Sequence, residues 1–173
     1  MLMGIRYRAF PLRTDLDLMY ARANPLECAH ALDHREHEWE HTAPGTPRIG
    51  ELYLDKAWRQ LQWYFSESPP IPDELRGPVA AHSLARPGLL LLSGDVSFVG
   101  TDYGWDPYLG VVPAPYVRIA ADDYATVDEN DLFERGEEYR AGDGEYCRKY
   151  FVHLRDTTRR WSDEGFGALY YIG

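Results

Sequence analysis

The sequence predicts an α+β fold: a small mixed or antiparallel sheet built from N-terminal, middle and C-terminal strands, packed by several helices. Three stretches carry this expectation. Both ends read as strands: Gly4 to Leu12 alternates loosely among aromatic and branched residues, and Gly167 to Ile172 is nearly all apolar, as in a central strand covered on both faces. Leu54, Trp58, Leu61 and Phe65 step by four, three and four, the spacing of one helical face. Glu145 to Asp163 gathers Tyr150, Phe151, Leu154, Thr158 and Trp161 on one side and its basic residues elsewhere. Strands at the ends with helices between them point to α+β. The length of 173 residues suits one domain, 1–173, with a real core.

Each element has a local chemical reason. Pro11 has no N–H, so it should end the first strand or place it at an edge. Thr14 is an N-cap candidate, with Asp15 and Asp17 in the first turn of a short helix through Ala23. Asn24-Pro25 stops that helix and starts a second, which runs to about His41. Thr42 to Gly50, with two prolines and two glycines, reads as a loop. In the Trp58 helix, Ala57 and Tyr64 widen the apolar stripe, while Asp55, Lys56, Arg59 and Gln62 take the wet side. Ser66 to Pro72 is a Pro-rich connection, and Pro72 to Ala85 has room for another short helix. Leu89 to Leu92 is a short buried strand or a helix end, which periodicity cannot arbitrate. Leu109 to Val112 reads as a strand, with Pro113 and Pro115 keeping the next segment near a sheet edge. From Asp122 to Glu145, ten Asp or Glu face Arg135 and Arg140, which predicts a solvated acidic connector with a helix around Asp131 to Arg140. Gly165 suits a left-handed stop after the last helix.

Composition excludes several classes of function. The 14% aromatic share argues against disorder. A net charge of −10 argues against nucleic acid, whose phosphates need a basic face, and leaves a basic protein partner or bound cations. Cys28 and Cys147 are too few for a disulfide framework and fit a reduced, cytoplasmic setting. No apolar run approaches the ~20 residues of a membrane span. Arg6 and Arg8 are followed by no apolar signal core, so no export is expected.

One segment spells a reaction. His37-Glu38-Trp39-Glu40-His41 is H-E-x-x-H, in which two histidines one turn apart can reach a single Zn²⁺ and Glu38 can take a proton from metal-bound water. His30, His34, His37 and His41 step by four, three and four, so all four share a helical face. A third ligand is missing from the pattern. The extended protease form is excluded by Pro44 and Pro47, which stand where it needs Gly and His. Glu51, Glu67 and Glu74 are the nearest downstream carboxylates, and nothing singles one out. Asp33, Arg35, Glu36 and Glu40 surround the motif with charge, unlike a helix packed inside an enzyme. The plainest reading is a solvated helix whose histidines fall in register. A metal site on His30, His34, His37 and His41 comes next, then a zinc hydrolase with Glu38 as base. Protonation of four neighbouring imidazoles would also make this face pH-sensitive.

Other candidates are weaker. Ser83 and Ser93-Gly94-Asp95 lack a nucleophile-elbow context, and no phosphate-binding glycine loop exists. Cys28 and His30 point to different sides of a helix, so Cys28 reads as a buried structural thiol. The loop Asp102-Tyr103-Gly104-Trp105-Asp106 pairs carboxylates with aromatics, but a glycine-rich turn over the core explains it. His153 reads as a surface or satisfied residue, and Arg148 to Arg160 as neutralising the acidic connector.

Three stretches resemble the YfbM-like family, a bacterial domain of unknown function. Met3-Gly4-Ile5-Arg6-Tyr7 is similar to its short first strand, with Met3 as a start. Leu54-Asp55-Lys56-Ala57-Trp58-Arg59-Gln60-Leu61 resembles its Leu-Asp-Lys-x-Trp-x-x-Leu helix. Tyr146 to Gly165, followed by Ala168-Leu169-Tyr170-Tyr171-Ile172-Gly173, resembles its closing helix and strand, and Tyr108-Leu109-Gly110-Val111-Val112 with Val117 and Ile119 is a looser match. The resemblance implies a single α+β domain and no reaction, and H-E-x-x-H is not part of it. The expectation is thus a cytoplasmic, non-enzymatic protein-binding module of the immunity or accessory type. It would need no cofactor and would bind a basic protein rather than nucleic acid or membrane. The alternative is a zinc-dependent hydrolase built on His37, Glu38 and His41.

Overall fold

The structure, a computed structural model, describes residues 6–42, 52–66, 86–92, 96–97 and 108–173, with backbone alone for 33, 35–42, 96–97 and 108. The elements run β1 (Tyr7–Leu12), α1 (Asp15–Ala23), α2 (Pro25–Thr42), β2 (Leu52–Asp55), α3 (Trp58–Ser66), a 3₁₀ helix (Pro87–Leu91), β3 (Val96–Ser97), β4 (Tyr108–Val112), α4 (Ala114–Tyr124), α5 (Glu129–Tyr139), α6 (Gly144–Asp163) and β5 (Gly167–Ile172). The expected α+β class holds. The strands form one sheet in the order β2-β1-β5-β4-β3, and every neighbouring pair is antiparallel.

The closing strand β5 lies at the centre, as its apolar run predicts. Ala168, Tyr170 and Ile172 enter the larger core with Tyr7 and Ala9 of β1, Val112 of β4, and Leu52 and Leu54 of β2. Leu169 takes the other face, beside Leu12, Leu109, Ala21, Cys28 and Ala29, with Tyr171 half-buried against them. The helices α3, α4, α5 and α6 contribute to the larger core, and α1 and α2 to the smaller one. Gly110 pairs with Tyr170, and a Cβ at Gly110 would come within 2.1 Å of the Tyr170 ring. Glycine there lets the buried ring lie across the neighbouring strand and stack on Tyr7, with centroids 5.8 Å apart.

Several expectations are corrected. Pro11 does not end β1, which runs on to Leu12, but it stands past the last residue paired with β2, where that side of β1 is locally an edge. Arg6 and Gly173 exchange both backbone hydrogen bonds, so the alternation places Arg8, Phe10 and Leu12 in hydrogen-bonded pairs with β5. The missing N–H of Pro11 falls on the opposite side, beyond Ala9, the last β1 residue paired with β2. Leu54 and Asp55 belong to a strand, and the helix starts at Trp58. Gln62 is buried and donates from Nε2 to the Leu92 carbonyl at 2.9 Å instead of facing water. Of the two readings of Leu89 to Leu92, the helix end holds, in 3₁₀ form: Pro87–Leu91 is a 3₁₀ helix with Leu92 as its C-cap. The segment after β4 is the helix α4 rather than chain along a sheet edge, with Pro113 as its N-cap and Pro115 in its first turn, where a missing N–H costs nothing. The acidic connector supplies only the C-terminal end of α4, and the helix expected in it around Asp131 to Arg140 is α5, which buries Leu132 and Gly136. The expected loop at 43–50 and helix at 72–85 lie outside the described residues.

The 3₁₀ helix is backbone taken into the core, so its polar groups need partners. Tyr124 donates to the Gly88 carbonyl at 2.5 Å and Tyr7 to the Leu91 carbonyl at 2.7 Å. The Gly88 N–H donates to Asp123 at 2.8 Å. Asp123 also pairs with Arg86 at 2.9 Å, and the Arg86 guanidinium lies over the rings of Tyr64 and Phe65. Burial holds the phenols of Tyr7 and Tyr124 well above their ordinary pKa, with the Asp123 charge adding to the effect at Tyr124.

Two consequences can be measured. Gly110→Ala should cost about 1–3 kcal/mol in urea unfolding, because the fully packed Tyr170 ring must move. A phenol whose folded pKa is raised contributes stability that is complete below its unfolded value of about 10, and is lost as pH climbs toward the folded value. Ultraviolet titration should therefore show Tyr7 and Tyr124 ionising only together with alkaline unfolding. Smooth ionisation of all thirteen tyrosines in a still-folded chain would contradict this.

Candidate functional site

The α1–α2 hairpin carries the residues singled out by sequence. Thr14 caps α1 as expected: its hydroxyl accepts from the Asp17 N–H at 3.1 Å, and Asp17 accepts from the Thr14 N–H at 3.0 Å. Asn24 closes α1 by donating to the Tyr20 carbonyl, and its own carbonyl takes the Cys28 N–H of the next helix. Pro25 at the start of α2 lacks only an N–H that would find no partner in the helix.

Helix α2 is continuous to Thr42, so all four histidine positions lie on one helix. Cys28 and Ala29 are buried, and Leu26 and Leu32 pack against the smaller core. At 3.6 residues per turn, positions 30, 34, 37 and 41 lie on the side away from Cys28, Ala29 and Leu32. His30 and His34 are exposed, and the His30 ring meets the edge of Tyr171 with centroids 6.3 Å apart. The side chains of His37, Glu38 and His41 lie outside the described residues, as do Glu51, Glu67, Glu74, Ser83, Ser93 to Asp95 and Asp102 to Asp106. Among the described residues, no three His, Cys, Asp or Glu side chains gather to hold a metal ion.

The remaining sequence candidates are described. Cys28 and Cys147 are both buried, one in each core, with the sheet between them. Burial pushes the Cys147 thiol up to about 12, which keeps it protonated and unreactive. His153 sits exposed on α6. Arg155 pairs with Glu129 of α5 at 2.5 Å and Arg159 with Asp122 of α4 at 3.3 Å, the neutralising role expected of the basic set.

Two features were missed by sequence reasoning. The first is an apolar stripe on α1: Leu16 is 73% exposed, Met19 67% and Tyr20 44%. Their i, i+3, i+4 spacing is what a core-facing stripe shows, yet Ala21 and Leu18 take the inward side. Around the stripe the charge is lopsided. Residues 15–42 hold seven carboxylates (Asp15, Asp17, Glu27, Asp33, Glu36, Glu38, Glu40) against Arg22 and Arg35, a net −5 of the chain's −10.

The second feature is a polar knot at Asp55, whose φ of +47° places it in the left-handed region. Its carboxylate accepts from Arg6 at 2.6 Å, Tyr53 at 3.2 Å and Tyr146 at 2.9 Å. The Tyr146 hydroxyl in turn accepts from the Lys56 N–H at 3.2 Å. Burial and the Asp55 hydrogen bond raise the Tyr146 pKa, so this phenol stays a donor. The knot ties the residue before β1, the β2–α3 turn and the first turns of α6. Every polar group named in it has a partner within the chain, which makes it a structural tie. Asp55→Gly and Asp55→Ala should both lose stability. The alanine variant should lose about 1–2 kcal/mol more, because only it carries a Cβ into the left-handed conformation. Equal melting of the two would show that the turn is unstrained.

Among the described residues no helix is long and apolar enough to cross a membrane. No family model matches the chain, and no curated protein matches it. Among solved structures the chain is similar to the crystal structure of YfbM from Escherichia coli, a protein of unknown function. That similarity covers 98% of this chain and 99% of that one, at 17% sequence identity and a TM-score of 0.42. The likeness brings no activity with it.

Proposed function

We propose that this chain is a non-enzymatic protein-binding module of the immunity or accessory type, and that the α1–α2 hairpin is the surface that meets its partner. The observation that carries this reading is the apolar stripe of Leu16, Met19 and Tyr20 standing in water on an acidic hairpin. Large apolar side chains grouped on one helix face and rimmed by charge are the composition of an interface centre and its rim. A net −5 over 28 residues selects a partner whose own apolar patch is ringed by Lys and Arg, and repels acidic competitors. Two buried thiols separated by the sheet fit work in a reducing, cytoplasmic setting. No cofactor is needed for such a role.

The test is photo-crosslinking from position 20, compared with position 119 of α4, in the native host. A basic protein captured from position 20 alone, and lost on Leu16→Asp with Met19→Asp, is the expected result. Both variants sit on exposed positions, so stability should stay within about 0.5 kcal/mol of the parent. Capture should also weaken as salt rises, since the attraction is screened. Crosslinks only to a second copy of the chain, or capture unaffected by the aspartates, would sink the proposal.

A further inference from the structure

We propose that the open side of the Asp55 knot binds a phosphate group carried on a small molecule, held by Arg6, Lys149 and Tyr150. This does not depend on the protein-binding reading, since the knot belongs to β2, α6 and the residue before β1, and the hairpin to α1 and α2.

The knot uses only part of the donors around it. Arg6 gives Nη1 to Tyr53 and Asp55, while its Nη2 and Nε make no hydrogen bond among the described residues. Its side chain is 45% exposed, so these donors are open to a ligand. Tyr150 stands beside the knot on α6, its ring edge-on to Tyr146 with centroids 4.9 Å apart. Burial raises the Tyr150 pKa, the neighbouring Asp55 and Tyr53 add to it, and Arg6 lowers it, so the phenol lies within the field of all three. Its hydroxyl has no hydrogen-bond partner among the described residues. Lys149 Nζ lies 5.6 Å from the Tyr150 ring centroid, and Glu145, one turn before it, pairs with Arg148 instead.

Charge selects the ligand. Arg6, Lys56 and Lys149 against the single carboxylate of Asp55 leave +2 here, in a chain whose net charge is −10. A phosphate monoester carries about −1.5 to −2 at pH 7 and matches that excess, whereas one carboxylate leaves half of it unmet. A guanidinium, an ammonium and a phenol O–H are all donors suited to phosphate oxygens. Tyr53, Tyr146 and Tyr150 are half-buried and offer ring surface to the organic body of the ligand. Asp55 already fixes the Arg6 guanidinium, which lowers the cost of ordering it on binding.

The experiment is calorimetric titration of the untagged full chain, at low salt, with inorganic phosphate and with phenyl phosphate. Lys149→Gln, Tyr150→Phe and their combination are titrated alongside, with Arg160→Gln, exposed near the other end of α6, as the control. Lys149 is exposed and the Tyr150 hydroxyl makes no bond within the chain, so the ligand-free variants should melt as the parent does. The expected result is one equivalent of either probe bound by the parent, with about tenfold weaker binding in each single variant. The combined variant should show no saturable binding, and Arg160→Gln should bind as the parent does. Phenyl phosphate should bind more tightly than phosphate, because its ring meets the tyrosines. Absence of saturable binding by the parent, equal affinity for the two probes, binding that survives in the combined variant, or an equal loss in Arg160→Gln would each overturn the proposal.

Discussion

The two-sided burial of β5 is the constraint on which the rest of the fold depends. A strand with neighbours on both edges and a core on both faces can present no charge, and Gly167 to Ile172 contains none. Because its side chains alternate, a one-residue slip would exchange Tyr170 and Ile172 with Leu169 and Tyr171 and misfit both cores at once. Gly110 removes the side chain that would lift Tyr170 off the neighbouring strand. With β5 registered, β1 and β4 are registered against it, and the first turns of α1 and α4 start from the same end of the sheet.

On the larger side, the fold also takes a turn of irregular backbone into its interior. Such a turn is tolerated only where side chains stand in for the ladder it lacks. Tyr7, Tyr124, Gln62 and Asp123 do so from β1, α3 and α4, each aimed at one group of residues 88–92. Gly88 fits because Phe65 and Tyr124 leave no room for a Cβ. These hydrogen bonds tie the sheet to α3 and α4 more specifically than apolar contact alone, which tolerates sliding.

How much of this was legible depends on how local each signal is. The Thr14 cap, the Asn24-Pro25 break and the Gly165 stop lie within a few residues of the backbone they control, and each was readable. The long period of α6 was readable because twenty residues repeat it. Four residues of β2 could not outweigh a helical spacing that happened to include Leu54. Pro113 and Pro115 suit a sheet edge and a helix start equally well until the eleven residues of α4 are seen to coil. At the candidate site, the register of the histidines and the wetness of their face were both legible from the charged neighbours, and the described pair, His30 and His34, is exposed. For α1 the side that meets the sheet was not legible, because an apolar stripe normally predicts burial and here Ala21 and Leu18 are the residues drawn inward. The Asp55 knot joins residues 6, 53, 55 and 146, a separation no local pattern reports.

The unequal division of the core bears on how the molecule breathes. Among the described residues, the α1–α2 layer is held by six buried apolar residues, whereas the opposite layer gathers more than three times as many. Opening free energies scale with the buried contacts that must be given up, so the hairpin is the cheaper layer to lift from the sheet. Its amides then exchange with solvent through partial opening, while those of α6 and β5 wait for global unfolding. A surface borne on such a layer is adjustable: it can reshape against what it grips while the larger half of the fold stays intact.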